Sequence, residues 1–90
     1  MACYIVTYDL NEERRRPPLL ADLKRFYPLW AKLSESSYSI DTHDAPSDVF
    51  RSLEKHIDKN DNLYVISLSK PYAGRGPKEV NDWLENNLPQ

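Results

Sequence analysis

The sequence predicts an α+β domain, a ferredoxin-like sandwich in which two helices pack on one face of a β-sheet. β-Branched and aromatic residues dominate short segments at residues 3–10 and 63–69, which favours strands there. Apolar residues at helical spacing separate these segments. The resulting βαββαβ order, with an extra C-terminal helix, matches the split-βαβ plan. A doubly wound parallel sheet is the alternative, but 90 residues are few for it.

The length and charge of the chain limit what it can do. Ninety residues make one domain, residues 1–90, and a domain of this size buries only about 60–65% of its unfolded surface. A second copy is the simplest source of further stability, so we expect a homodimer. The net charge of −2 supplies no basic field for avid non-specific binding of nucleic acid, although local basic patches are compatible with it.

The cysteine content and the apolar segments indicate the cellular compartment of the protein. Cys3 is the single cysteine and cannot form an internal disulfide, which agrees with a reducing cytoplasm. The amino-terminal apolar run reaches Asp9 too soon for a signal peptide. No stretch approaches the roughly 20 apolar residues of a membrane span. We therefore expect a cytoplasmic protein without a membrane partner.

The individual elements follow from periodicity and from the prolines. Residues 3–10 place apolar side chains on both alternating faces, which predicts a central strand covered on both sides. Pro17 and Pro18 open a helix that Pro28 ends. Residues 29–42 predict either two short strands or one strand broken near residues 34–36. After the loop at residues 43–46, the spacing of Val49, Phe50, Leu53 and Ile57 predicts a second helix, and Pro77 opens a third over residues 77–88.

The first strand and the loop after it carry a family resemblance. The segment YIVTYDL at residues 4–10, followed by three arginines at residues 14–16 and a helix, resembles the small CRISPR-associated Cas-two family, with its VapD and SinR-like relatives. Proteins of that family begin with an apolar strand that ends in Tyr-Asp-Ile or Tyr-Asp-Leu. A later Gln-x-Ser-x-Phe strand corresponds to residues 34–38, with Ser34 at the glutamine position. The likeness follows residues 3–69 in element order, and its specific motif lies within residues 4–16.

The resemblance implies a homodimeric ferredoxin-like fold and two possible activities. In several family members the aspartate that ends the first strand faces its dimer mate and binds a divalent metal for phosphodiester hydrolysis. Other members are structural dimers that bind nucleic acid. Family chains often end in a strand that pairs across the dimer, whereas residues 77–88 here predict a helix. The SinR-like branch is therefore the better match.

Asp9 is the candidate catalytic and metal-binding residue. One carboxylate is a poor metal site, but a two-fold axis beside it would supply a second, and two carboxylates with several waters commonly hold Mg²⁺. Another divalent metal is compatible with the same ligands. The alternative is that Asp9 accepts backbone N–H bonds in the loop after the first strand.

Four arginines are the candidates for binding nucleic acid: Arg14, Arg15, Arg16 and Arg75. Guanidinium groups bind phosphates in a bidentate manner, and Arg75 lies between two glycines that would let backbone amides approach a phosphate. The alternative for the cluster at residues 14–16 is a solvated loop paired with Glu12, Glu13 and Asp22. His43 and His56 form no recognisable catalytic pair.

Two functional hypotheses follow. The first is a metal-dependent endonuclease of the Cas-two type, a phosphodiesterase that acts on RNA or DNA through Asp9 of each subunit. The alternative is a non-catalytic homodimeric module that binds nucleic acid or another protein. The acidic pI of about 5.6 and the absence of a second acidic or histidine motif favour the alternative.

Overall fold

The computed structural model describes residues 1–90, which form four strands and three α-helices. The strands are β1 (Ala2–Asp9), β2 (Trp30–Ser34), β3 (Ser37–Thr42) and β4 (Asn62–Leu68). The α-helices are α1 (Arg16–Phe26), α2 (Pro46–Leu53) and α3 (Lys78–Asn87). Short 3₁₀ turns at Glu13–Arg15 and Glu54–His56 precede α1 and follow α2. None of these helices has the length and apolar character needed to cross a membrane.

The strands form one antiparallel sheet in the order β2-β3-β1-β4. β1 is an inner strand, with Ile5 opposite Ser39 of β3 on one side and Ile66 of β4 on the other. The predicted α+β class is therefore confirmed, and the parallel alternative is wrong because every strand pair is antiparallel. The element order is consistent with the ferredoxin-like plan, with α3 as the extra C-terminal helix.

The hydrophobic core lies between one face of the sheet and the helices α1 and α2. Alternate residues of β1 point into it, because successive side chains of a strand project to opposite faces. Eleven buried residues form this core: Tyr4, Val6, Tyr8, Leu19, Leu23, Tyr27, Tyr38, Ile40, Val49, Leu53 and Leu63. Leu19 and Leu23 of α1 and Val49 and Leu53 of α2 lie in this core, which confirms that both helices have an apolar face.

Two core tyrosines reach the edge of the core with their hydroxyl groups. Tyr8 donates a 2.9 Å hydrogen bond to the carbonyl of Glu35, and Tyr4 donates a 2.8 Å bond to the carbonyl of Asp44. A buried hydroxyl without a partner would cost free energy, so these bonds allow large rings in the interior. Burial raises the pKa of Tyr8 to about 12, which keeps its hydroxyl a donor.

Residues 29–42 form two strands joined by a turn, in agreement with the first of the two predicted alternatives. The hydroxyl oxygens of Ser34 and Ser37 lie 2.7 Å apart across the turn. The backbone N–H of Ser36 donates to the Ser34 hydroxyl at 3.2 Å. Short serine side chains therefore satisfy turn groups locally, and this explains the serine-rich composition of the segment.

The opposite face of the sheet is only partly covered. α3 lies against it near β2, and the Cys3 thiol donates to the carbonyl of Asn87 at 3.1 Å. Burial, followed by the nearby Asp41 charge, raises the pKa of Cys3 to about 11, so the thiol stays protonated. Cys3 lies in this covered part of the face and is buried.

The remainder of this face, here called the open face, lies on β1 and β4. Cross-strand pairing assigns six residues to it: Ile5, Thr7, Asp9, Asn62, Tyr64 and Ile66. Tyr64 and Ile66 are 62% and 53% exposed. β1 is thus central in the sheet as predicted, but its second face is covered only in part.

We expect Leu23→Ala to lower the free energy of unfolding by about 2–5 kcal/mol, the usual cost of a cavity left by a buried leucine. Leu23 is fully buried between α1 and the sheet. Urea denaturation measures the change. Leu29→Ala is the matched control because Leu29 is 46% exposed, and we expect a change within about 0.5 kcal/mol. Similar losses in both variants would contradict this placement of the core.

Candidate metal and nucleic-acid site

Asp9 ends β1 and is solvent-exposed on the open face. Its backbone pairs with Asn62 at the start of β4. Its carboxylate takes part in none of the side-chain hydrogen bonds or ion pairs of the chain. The alternative in which Asp9 accepts backbone N–H bonds of its own loop is therefore wrong, and the carboxylate is free to meet a ligand or a second subunit.

Asn62 is the residue beside Asp9 that sequence reasoning missed. The two residues are cross-strand partners, so both side chains project to the open face, and Asn62 is also exposed without a side-chain hydrogen bond. Only the strand register reveals this proximity, because 53 positions separate the two residues in sequence. No group of three or more His, Cys, Asp or Glu side chains in one chain is arranged to hold a metal ion.

Asp61 performs the backbone-binding role considered for Asp9. Its carboxylate accepts hydrogen bonds from the backbone N–H of Asn11 at 2.8 Å and of Asp58 at 2.9 Å. It also lies 2.8 Å from a guanidinium nitrogen of Arg15. These backbone bonds, more than the arginine, hold the pKa of Asp61 below its ordinary value. The buried carboxylate thereby ties the loop after β1 to the turn before β4.

The cluster of Arg14, Arg15 and Arg16 is engaged within the chain. Arg15 contacts Asp61 and also lies 2.9 Å from Asp58, with a side chain that is only 21% exposed. Arg15 is therefore a structural residue in this conformation. To bind a phosphate it would have to leave a buried carboxylate, which is costly.

Arg14 and Arg16 have weaker partners. Arg14 is 2.8 Å from Glu12, but its side chain is 81% exposed. Arg16 is 2.7 Å from Glu13 and 3.4 Å from Glu35. Exposed ion pairs contribute about 0–1 kcal/mol, so a phosphate can displace Glu12 from Arg14 at little cost. The predicted pairing with Glu12 and Glu13 is confirmed.

The predicted pairing of this cluster with Asp22 is wrong. Asp22 lies 2.8 Å from Arg25 and 2.7 Å from Nε2 of His56. The hydrogen bond to His56 is the main reason that the pKa of Asp22 is below its ordinary value. Asp22 is on α1 and His56 ends the 3₁₀ turn after α2, so this pair joins the two helical segments. His43 is exposed in the loop before α2.

Arg75 differs from every other arginine because no acidic side chain pairs with it. It lies in the exposed loop between β4 and α3, away from the cluster at residues 14–16 in sequence. The open face and this loop are therefore the two surfaces where sequence-predicted residues have free polar groups.

The fold of this chain is similar to that of a solved structure. The class defined by these observations is a small α+β domain with a four-stranded antiparallel sheet. The crystal structure of a hypothetical protein, TT1823 from Thermus thermophilus, is similar to it with a TM-score of 0.64 and 24% sequence identity, over 84% of this chain and 94% of that one. At this identity the likeness shows the fold alone. No family model and no curated protein matches the chain.

We expect Asp61→Asn to reduce stability at pH 7 and to flatten the acid part of the stability profile. The native contacts lower the pKa of Asp61 below its ordinary value of 3.8. Its contribution to stability is therefore complete above the unfolded pKa of about 4 and is lost as the pH falls through the lower, folded pKa. Urea denaturation between pH 2 and 7 measures both curves.

Asp82→Asn is the control for this experiment, because Asp82 is exposed on α3 and pairs only with Lys78. The control should follow the wild-type profile. If stability falls equally steeply with decreasing pH in wild type and in Asp61→Asn, then Asp61 does not tie the loop after β1 to the turn before β4.

Proposed function

We propose that the chain is a homodimeric, metal-dependent phosphodiesterase that cleaves RNA or DNA, with Asp9 of each subunit as the metal ligand. The observation that carries the proposal is the free, exposed Asp9 carboxylate at the rim of an uncovered apolar sheet face. We further propose that the fold is the ferredoxin-like sandwich of the Cas-two family and its SinR-like relatives. The βαββαβ element order and the strand order β2-β3-β1-β4 support that assignment.

The open face supports the homodimer. Tyr64 and Ile66 expose aromatic and branched side chains next to Ile5, and no charged residue lies among them. Monomeric proteins tend to avoid contiguous exposed apolar surface of this kind. In a two-fold dimer the same patch is used by both subunits, so a residue at its rim can meet its own copy. Asp9 occupies such a position.

The donor chemistry beside Asp9 fits a hard cation. Mg²⁺ prefers oxygen ligands, keeps several waters and usually binds through one or two carboxylates. Two Asp9 carboxylates and the amide oxygens of the neighbouring Asn62 residues would supply such ligands. A bound divalent ion lowers the pKa of its water and stabilises negative charge on a phosphodiester oxygen.

The chain's own residues bind and orient the nucleic acid in this proposal. Arg14 offers an exposed guanidinium whose only partner is a surface carboxylate, and Arg75 offers one with no acidic partner. Arg15 holds the loop after β1 through Asp61 and thereby positions the end of the strand that carries Asp9. Arg16 contributes to the same loop through Glu13.

The second candidate function is a non-catalytic dimer that binds nucleic acid or protein. A specific observation favours it: each chain presents only one free carboxylate at the open face, beside the exposed apolar side chains of Tyr64 and Ile66. In this alternative Asp9 is a rim residue of the dimer, and the arginines provide contacts without turnover.

Asp9→Asn distinguishes the two functions. We expect it to abolish cleavage of labelled single- and double-stranded RNA and DNA in the presence of Mg²⁺ or Mn²⁺, because a neutral amide is a much weaker metal ligand. The measurement is product formation by wild type and variant at matched purity, with circular dichroism to check folding. Asp82→Asn keeps wild-type activity as the control. Equal cleavage by wild type and Asp9→Asn would identify a contaminant.

We expect Ile66→Asp to convert the dimer into a monomer, because it places a charge at the centre of the apolar patch where desolvation is costly. Sedimentation velocity at high micromolar concentration measures the change. Leu29→Asp is the matched control: Leu29 is also exposed but lies outside the open face, so this variant should remain dimeric. A monomeric wild type, or a dimeric Ile66→Asp variant, would refute dimerisation through this face.

A further inference from the structure

We propose that a second site, in the cavity between the loop of residues 69–77 and α3, binds a small carboxylate with an apolar body. This proposal does not depend on the phosphodiesterase activity, because neither Asp9 nor Asn62 lines the cavity, and Arg75 is the one residue that the two proposals share. The cavity has a volume of about 390 Å³. Small-molecule sites in proteins fall in the range of about 300–1,000 Å³, so it can hold a compact organic ligand.

One part of the cavity wall is aliphatic, and its side chains come from separate parts of the fold. Five side chains from β2, β4, α3 and the residue after α3 contribute to it: Leu33, Leu68, Val80, Leu84 and Leu88. Sequence-distant segments thus converge on one apolar space. Such a wall selects an apolar ligand body, because removing apolar surface from water is favourable and needs no particular orientation.

The charge at the cavity selects an anion. Arg75 is the one charged residue in the lining, which contains no aspartate, glutamate, lysine or histidine. The other five arginines of the chain all have carboxylate partners, as the pairs of Arg25 and Arg51 illustrate. A guanidinium without an internal counter-ion is complementary to a carboxylate, which it can bind through two parallel hydrogen bonds. One arginine matches a single negative charge, and this favours a carboxylate over a doubly charged phosphate.

The loop beside Arg75 adds hydrogen-bond donors. The backbone N–H groups of residues 72–76 donate to no acceptor within the chain. A Cβ added at Gly74 or Gly76 would meet nothing within 4 Å, so the backbone there is open to an approaching group. Free amides next to a guanidinium are suited to the oxygens of a carboxylate.

The cavity is held open by contacts at both ends of the loop. Lys70 donates its backbone N–H to the carbonyl of Pro89 at 2.7 Å, and its ammonium group lies 2.9 Å from the Glu85 carboxylate. Tyr72 donates its hydroxyl to the same carboxylate at 3.0 Å. At the other end the Asn81 amide donates to the carbonyl of Gly76 at 3.2 Å. A site that is already shaped loses less conformational entropy when it binds.

The test uses 4-phenylbutyrate as the probe, with its neutral amide, 4-phenylbutanamide, and phenyl phosphate as comparators. Each is titrated into the ¹⁵N-labelled full chain, and amide shifts are followed by NMR. We expect saturable shifts for residues 72–76 and for α3 with 4-phenylbutyrate. Its affinity should exceed that of the neutral amide by about ten-fold, the contribution of one charge-assisted contact.

Three variants complete the test. Arg75→Gln should reduce the affinity for 4-phenylbutyrate to that for the neutral amide, whereas Val80→Trp should fill the cavity and remove binding of both. Arg51→Gln, a matched arginine outside the cavity, should bind as wild type does. Equal binding by wild type and Arg75→Gln, or no saturable shift with 4-phenylbutyrate, overturns the proposal. Tighter binding of phenyl phosphate overturns the choice of a carboxylate.

Discussion

The alternation of side chains along β1 determines which residues enter the core and which lie on the open face. Tyr4, Val6 and Tyr8 enter the core under α1 and α2, so the intervening residues must project to the opposite face. Asp9 follows Tyr8 and therefore lies on the open face. A register shift of one residue would bury this carboxylate and expose the core tyrosines, which makes the placement of Asp9 a direct consequence of core packing.

The charged residues divide into those that maintain the fold and those that remain available. Asp61 is buried and has backbone and arginine partners, so it stabilises the junction of the β1 and β4 ends. Arg15 belongs to the same junction. Arg75 and Asp9 lack such partners, and the two proposed sites are built on them. In a chain with a net charge of −2, the unpaired groups are more informative than the total charge.

Local patterns were sufficient to predict most elements. The prolines at positions 17, 18 and 28 delimit α1 in the structure nearly as they do in the sequence, because proline geometry acts on its neighbours alone. Residues 29–42 allowed two interpretations, since a serine-rich segment suits both a turn and an exposed strand face. In the structure, hydrogen bonds between Ser34, Ser36 and Ser37 hold a turn between two strands.

The α+β class, most of the elements and the candidacy of Asp9 and the arginines could be predicted from the sequence, because they depend on residue type and short-range periodicity. Three features appear only in the folded chain: which arginines are free, the position of Asn62 beside Asp9, and the cavity under the loop that contains Arg75. Those features join residues that are far apart in the chain. Their proximity is set by strand register and packing, and neither can be read from local composition.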